Sequence, residues 1–159
     1  MYILGLVLVF LDGLIVYTTK YNFNNISYFY PMLSLVYIVL IYSNKQKYLQ
    51  KVFILGLIYD LLYTSIFLYN SLMFLLLGKI NRKIFNIIRP TLINKIVVLV
   101  INIIIFDTLN FLIIYISKYN IVSFSHLVYK ISHSLIFNIM SLFVLHFFIK
   151  LFHLEHKLY

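Results

Sequence analysis

Three aspartates lie inside otherwise apolar stretches of the sequence, and they are the residues best placed to do chemistry. Asp12, Asp60 and Asp107 make up three of only four acidic residues in a chain of 159. A carboxylate inside a membrane can carry a proton or a cation, or it can accept hydrogen bonds that fix how helices pack. Which role applies depends on the elements that position these side chains.

The composition predicts an all-α integral membrane protein with a single transmembrane domain, residues 1–159. The chain is 64% hydrophobic and only 11% charged, which is more apolar side chain than one water-soluble core of this length can bury. Segments that cross lipid must satisfy their own backbone hydrogen bonds, which favours helices. The sequence has no cysteine and lacks nucleotide-binding and hydrolase motifs. We therefore expect no enzyme activity, no cofactor, no metal and no nucleic-acid partner.

The distribution of lysine and arginine predicts the number of membrane crossings. The apolar stretch from Val52 to Gly78 is too long for one untilted span and short for two. Short loops rich in Lys and Arg flank it on both sides, and such loops remain cytoplasmic. The stretch therefore enters the membrane from the cytoplasmic face and returns to that same face, as two spans or as a re-entrant hairpin. We predict a bundle of six spans with both termini in the cytoplasm, or five as the alternative. The predicted spans are residues 2–19, 28–43, 49–64, 67–84, 96–116 and 127–151.

In the six-span arrangement, the three aspartates fall at one depth near the midplane, about 13 to 17 Å from the inner ends of their helices. Apart from Lys51 near the start of the third span, no Lys or Arg lies within those spans, and a charged Asp at a helix centre costs at least about 2.5 kcal/mol. Each is therefore expected to be protonated, or to face polar partners inside the bundle, or both. Helical spacing suggests as partners Tyr59, Tyr63, Thr64, Asn102 and Asn110. We favour the packing role, and a proton relay remains the alternative.

A cluster of basic residues follows the fourth predicted span. Isoleucines at helical spacing alternate there with cations, and Pro90 ends the pattern. The basic residues are Lys79, Arg82, Lys83, Arg89 and Lys95. The pattern is typical either of a basic amphipathic turn or two lying at inner-leaflet lipid headgroups, or of a plain extension of the fourth span that marks the cytoplasmic side. Docking of a cytoplasmic partner is the alternative.

The histidines give a weak metal signal. His153 and His156 have a spacing that pairs two imidazoles, but two ligands near a chain end do not make a site. His126 and His133 share a face of the last span, and no carboxylate is placed to orient them. We expect interfacial contacts and packing for all four.

The residues around Asp60 resemble a known family. GLIYDLLYT at residues 56–64 is similar to the G-[LF]-x-[YF]-D-[LV] segment in the third span of the rod shape-determining MreD family. YPML at residues 30–33 and the Phe106-Asp107 pair are also similar, as are the order and spacing of the spans. Family members often carry a glycine shortly after the motif, where this chain has FLY at residues 67–69. The resemblance makes Gly56 and Pro31, together with the aspartates, candidate packing or partner-contact residues.

The resemblance implies a non-enzymatic scaffold in the bacterial cytoplasmic membrane. MreD proteins belong to the cell-elongation complex that builds peptidoglycan and sets rod shape. They associate with MreC, a single-span protein, and through it with the RodA glycosyltransferase, its penicillin-binding transpeptidase and the MreB filament. The family also resembles, in its six-helix arrangement, the substrate-binding components of energy-coupling-factor vitamin transporters. That kinship implies the alternative function, a membrane pocket for a small molecule such as a vitamin.

Overall fold

The computed structural model describes residues 2–22, 32–42, 47–64, 66–117 and 124–151, and its regular structure within these ranges is entirely helical. The prediction of an all-helical protein is confirmed for them. The helices are α1 Tyr2–Asn22, α2 Met32–Leu40, α3 Lys47–Tyr63, α4 Tyr69–Ile87, α5 Leu92–Ser117 and α6 Phe124–Leu151.

Two described helices are long and apolar enough to cross a membrane. They cover Leu92–Ile116 in α5 and Leu127–Leu151 in α6, with mean hydropathies of 2.5 and 1.9. A shorter apolar stretch, Ile3–Ile15, lies in α1. Helix α2 has only nine residues, about 13 Å of length. It is shorter than the predicted span 28–43, whose first four residues lie outside the described part of the chain. Six complete crossings remain a prediction.

The ambiguous apolar stretch divides into two helices, as the charge argument predicted. Helix α3 ends at Tyr63 and α4 begins at Tyr69, and between them Leu68 adopts a left-handed backbone conformation with φ of 68°. The two helices pack closely because Gly56 has no side chain. A Cβ atom at Gly56 would lie 2.5 Å from the Cα atom of Ser71, which is closer than real Cβ contacts come. The glycine therefore lets the start of α4 approach the backbone of α3.

Helix α2 lies at the centre of the bundle. Every residue from Leu33 to Tyr42 is buried. Helix α2 packs against α1, α4, α5 and α6, and the Tyr48 hydroxyl of α3 donates to the carbonyl oxygen of Ile38 at 3.3 Å. The outer helices pack in the order α1, α3, α4, α5 and α6. Large apolar side chains are exposed on these outer helices, as expected where lipid is the solvent.

Aromatic and amide side chains join α2, α3 and α4 at one end of the bundle. The Tyr42 ring packs against Tyr48 and Phe85, with centroid distances of 5.4 and 4.5 Å. The Tyr42 hydroxyl donates to Asn86 Oδ1 at 3.0 Å, and Asn81 Nδ2 donates to the Tyr48 hydroxyl at 3.4 Å. These contacts fix the central helix relative to the α3–α4 pair.

Candidate functional site

Asp60, the carboxylate of the family motif, is buried and accepts five hydrogen bonds from the start of α4 and from the residue after α3. Its Oδ1 atom accepts from the backbone nitrogen and the Nδ2 atom of Asn70, at 2.9 and 3.0 Å, and from Thr64 Oγ1 at 2.8 Å. Its Oδ2 atom accepts from the backbone nitrogen and the hydroxyl of Ser71, at 3.0 and 2.7 Å. Asn70 and Ser71 are the second and third residues of α4, where backbone N–H groups have no acceptor within the helix. Asp60 therefore caps α4 from the neighbouring helix.

The local sequence explains why α4 needs a cap from another helix. Leu68, which precedes α4, has no polar side chain, and the first turn of α4 contains no acidic residue. The N–H groups there carry the positive end of the helix dipole, and a carboxylate is the acceptor that suits them best. Gly56 lies one turn before Asp60 on the same face of α3, so the close approach at Gly56 brings these N–H groups within reach.

Asp12 repeats this arrangement on α1. Its Oδ1 atom accepts from the backbone nitrogen of Leu33 at 2.8 Å, and its Oδ2 atom accepts from the backbone nitrogen and hydroxyl of Ser34, at 3.0 and 2.5 Å. Leu33 and Ser34 are again the second and third residues of their helix, α2. Asp12 is also buried. In both the α1–α2 pair and the α3–α4 pair, an aspartate of the first helix thus caps the start of the second.

These contacts fit ionised carboxylates. Both oxygens of Asp12 and of Asp60 accept from backbone N–H groups, which cannot reverse their role, and each Oδ2 atom also receives a serine hydroxyl. Hydrogen bonds from neutral donors and the helix dipole offset the cost of burying each charge. The geometry therefore supplies the polar partners that the sequence analysis expected.

Asp107 has a different environment, which corrects the prediction that no cation neutralises it. Lys130 Nζ of α6 lies 3.2 Å from Asp107 Oδ1. Among the described residues, Asp107 Oδ2 has no hydrogen-bond partner. The prediction counted cations only within the same span, whereas this ion pair joins two helices.

Of the three predicted partners of Asp60 on α3 and just after it, only Thr64 bonds to the aspartate as predicted. The Thr64 hydroxyl bonds to Asp60, as its spacing predicted. The Tyr63 hydroxyl instead donates to the carbonyl oxygen of Val9 on α1, at 3.1 Å. It can do so because Gly13 leaves space, since a Cβ atom there would overlap the hydroxyl. Tyr59 is buried against the rings of Tyr63 and Phe74, so it helps pack the region between the two caps.

The predicted asparagine partners also differ. Asn110 Oδ1 accepts from the Tyr69 hydroxyl of α4 and not from Asp107. Asn102 is buried, and its side-chain atoms have no hydrogen-bond partner among the described residues. Pro31 lies outside those residues.

The basic cluster is only partly on the surface. Lys79, Lys83 and Arg89 are exposed and Arg82 is half-buried, whereas Lys95 is buried. The first four are therefore available to lipid headgroups or a partner. Contact with a headgroup is not supported for Lys95.

Of the four histidines considered in the sequence analysis, the structure describes only the side chain of His133. His133 is exposed and its ring packs on Tyr129 at a centroid distance of 4.2 Å. The side chain of His126, and both His153 and His156, lie outside the described part of the chain. Within that part, no group of three potential metal ligands occurs.

Sequence reasoning missed the donors that define the two caps. That Asn70, Ser71, Ser34 or Lys130 contacts an aspartate was not predicted from the sequence. Each serine is the third residue of a helix whose first turn lacks an acidic residue, but all six described helices share that feature, so it becomes a signal only together with a buried aspartate on the preceding helix. Such a helix start needs an acceptor from elsewhere, and a buried aspartate on the preceding helix can supply it.

Comparison with known protein families identifies the family of this chain. A family model for the rod shape-determining protein MreD matches residues 1–155, a region that contains all three aspartates and the helices that they join. No similar curated protein and no similar solved structure was found. The MreD family is a family of membrane proteins with a role in cell shape. The family predicted from the sequence is thus confirmed, and the chain belongs to the rod shape-determining protein MreD family.

Proposed function

We propose that this protein is a non-enzymatic scaffold of the bacterial cell-elongation complex. In this proposal it lies in the cytoplasmic membrane, binds a single-span MreC-like protein, and connects through it to a RodA-type glycosyltransferase, a penicillin-binding transpeptidase and the MreB filament. The observation that supports the proposal is the set of hydrogen bonds that Asp12 and Asp60 accept from neighbouring helices. Their oxygens are occupied by the starts of α2 and α4, so these carboxylates hold the bundle together and are not free to act on a substrate.

Co-purification tests the scaffold proposal. The protein is expressed with an MreC-like partner that has one span and a periplasmic domain, and it is extracted in a mild detergent. We expect the partner to be retained at a fixed ratio. Recovery of the protein alone, from membranes in which the two are expressed together, would contradict the proposal.

The proposed topology has six spans in one domain, with both termini in the cytoplasm. The basic residues that flank the α3–α4 pair support it, since short loops rich in Lys and Arg stay inside. A reporter fused after Arg89 is expected to report a cytoplasmic location. An extracytoplasmic signal there would favour the five-span alternative.

A proton relay would require Asp107 to bind and release a proton. Asp107 is the aspartate whose Oδ2 atom has no hydrogen-bond partner among the described residues. The substitution Asp107→Asn keeps the size of the side chain but cannot release a proton. On the scaffold proposal, the variant restores rod shape to cells that lack the protein. Loss of rod shape at a normal protein level would support the relay.

The vitamin-binding alternative requires a pocket in which polar groups converge on a ligand. The groove between α1, α2 and α6 is lined by apolar side chains and Ser141, whose hydroxyl already donates to its own helix. This groove therefore favours an apolar occupant. Retention of a vitamin through purification would support the alternative.

A further inference from the structure

Helices α1 and α3 leave a narrow groove between them near their starts. The two helices run parallel, because Gly5 lies against Leu55 and Gly13 lies against Tyr63. A Cβ atom at Gly5 would lie 2.9 Å from the ring of Tyr37, which closes the groove from the side of α2. The apolar walls of this α1–α3 groove are Gly5 and Leu6 of α1 and Ile54, Leu55 and Ile58 of α3.

Lys51 adds a positive charge to the α1–α3 groove. It is half-buried, and it lies on the same face of α3 as Leu55 and Ile58, one and two turns before them. Among the described residues, the one ion pair joins Asp107 and Lys130, so no carboxylate there neutralises Lys51. The aliphatic stem of a lysine packs on apolar surface while its ammonium group reaches the membrane interface. The groove therefore has a cation at one end and apolar side chains along the rest.

The surroundings of Lys51 are also positive. Lys47 is exposed one turn earlier on the same face of α3. Gly78 of α4 packs against Val52, which places Lys79 and the basic cluster that it begins at the level of Lys51. The three carboxylates in the described part of the chain lie deeper in the bundle, where each already accepts hydrogen bonds or pairs with a cation. The charge at this end of the groove therefore favours an anionic group.

The shape of the groove distinguishes between kinds of occupant. Its volume is about 40 Å³, whereas pockets for small molecules usually hold about 300 to 1,000 Å³. It is open on its outer side, where Leu6 and Ile54 are 45% and 39% exposed, and closed inside, where Tyr37 and Leu55 are 3% and 4% exposed. A groove this narrow can hold a single hydrocarbon chain along its length, but it cannot enclose a compact ring system.

We propose that the α1–α3 groove binds an anionic phospholipid, with the headgroup phosphate at Lys51 and one acyl chain along Ile54 and Ile58. The order of groups along the groove matches their order in the lipid, because the cation lies near the helix starts and the apolar side chains follow towards the bilayer interior. A lysine beside an anionic headgroup contributes electrostatic attraction that a neutral lipid does not gain. The inference does not depend on the scaffold function, since it needs only the membrane setting of the family.

Lipid binding to the purified protein tests this site. The full chain is extracted in a mild detergent and titrated with phosphatidylglycerol or phosphatidylcholine, and bound lipids are counted by native mass spectrometry. We expect one phosphatidylglycerol to bind more tightly than any phosphatidylcholine. Lys51→Gln should weaken that binding about fivefold, the contribution of one cation beside an anionic headgroup. Equal binding of the two lipids by the native protein would overturn the proposal.

Lys83→Gln is the matched charge control. It removes the same charge from the same end of the bundle, at an exposed position that does not line the groove. We expect it to leave the affinity for phosphatidylglycerol unchanged. Equal weakening by Lys51→Gln and Lys83→Gln would show a general attraction to the basic end of the bundle and would overturn the assignment of a site.

A bulky substitution tests the position of the acyl chain. Ile54→Trp fills the groove, and Leu76→Trp places the same side chain on α4, with exposures of 39% and 41% in the native side chains. At an unchanged level of folded protein, Ile54→Trp should weaken phosphatidylglycerol binding at least fivefold and Leu76→Trp should not. Glycerol 3-phosphate, which has the phosphate but no chain, should not compete. Full binding by Ile54→Trp, competition by glycerol 3-phosphate, or a disulfide crosslink from Ile54→Cys to another protein in native membranes would overturn the inference.

Discussion

The three buried aspartates divide the bundle into two kinds of helix pair. In α1–α2 and α3–α4, the carboxylate accepts from backbone N–H groups at the second and third residues of the next helix. In α5–α6, Asp107 pairs with the side chain of Lys130. The donors differ in mobility, because a helix start is fixed in place and a lysine side chain is flexible.

This difference predicts unequal sensitivity to mutation. A cap requires the backbones of two helices to come close, and it leaves several donors unsatisfied when the carboxylate is removed. A lysine that loses its carboxylate can extend towards water. The α3–α4 pair should therefore respond more strongly than the α5–α6 pair.

The largest effect is expected for Asp60→Ala. The variant removes the acceptor of five hydrogen bonds, and at about 0.6 kcal/mol per bond in a membrane protein the free energy of unfolding should fall by about 3 kcal/mol. Denaturation in a fixed detergent measures it. Asp107→Ala is the matched control, and its loss should be smaller because it removes one ion pair and the flexible Lys130 side chain can move away once its partner is gone. Equal losses would remove the proposed distinction between caps and ion pair.

The second effect concerns the close approach at Gly56. The substitution Gly56→Ala places a methyl group against the backbone of Ser71, which cannot move without displacing α4 from Asp60. We expect a loss of about 2 kcal/mol in the free energy of unfolding. Gly78→Ala is the control, since its Cβ atom would lie 3.2 Å from the Val52 side chain, which can shift. A larger loss at Gly78 would show that the cap does not depend on the approach at Gly56.

A smaller effect tests whether the two caps are equivalent. Ser34→Ala and Ser71→Ala each remove one hydroxyl donor from an aspartate and leave the backbone donors in place. Each should lower the free energy of unfolding by about 0.6 kcal/mol. Ser132→Ala is the control, because that hydroxyl donates within its own helix, to Val128, and its removal should have no measurable effect. Loss at only one of the two positions would contradict the equivalence.

The smallest effect is a gain in stability at Leu68. Its φ of 68° costs a residue with a Cβ atom about 1 to 2 kcal/mol, a cost that glycine avoids. Glycine loses more entropy on folding, so Leu68→Gly should raise the free energy of unfolding by about 0.5 kcal/mol. The thermal midpoint in detergent measures the change. Leu72→Gly, within α4, should instead lower the midpoint. A lower midpoint for Leu68→Gly would show that the Leu68 side chain stabilises the turn more than its conformation costs.

Local spacing in the sequence predicted the contacts within a single helix and its end. The Thr64 hydroxyl bonds to Asp60 four residues earlier, as helical geometry requires. The same reasoning failed for Tyr63 and Asn110, which bond to other helices. A side chain on a helix can turn towards a neighbouring helix, and spacing along the chain does not reveal which neighbour is there.

The sequence by itself determined the helical class, the family, and the division of the stretch from Val52 to Gly78 into two helices. These follow from composition, from the position of basic residues and from a short motif. Each of these features can be read along the chain without knowing which distant residues come into contact. Only the tertiary structure decided what the carboxylates do. Asp12 and Ser34 are separated by 22 residues, and Asp107 and Lys130 lie on different helices. Whether such groups meet depends on how the helices pack, and that packing is a property of the whole bundle.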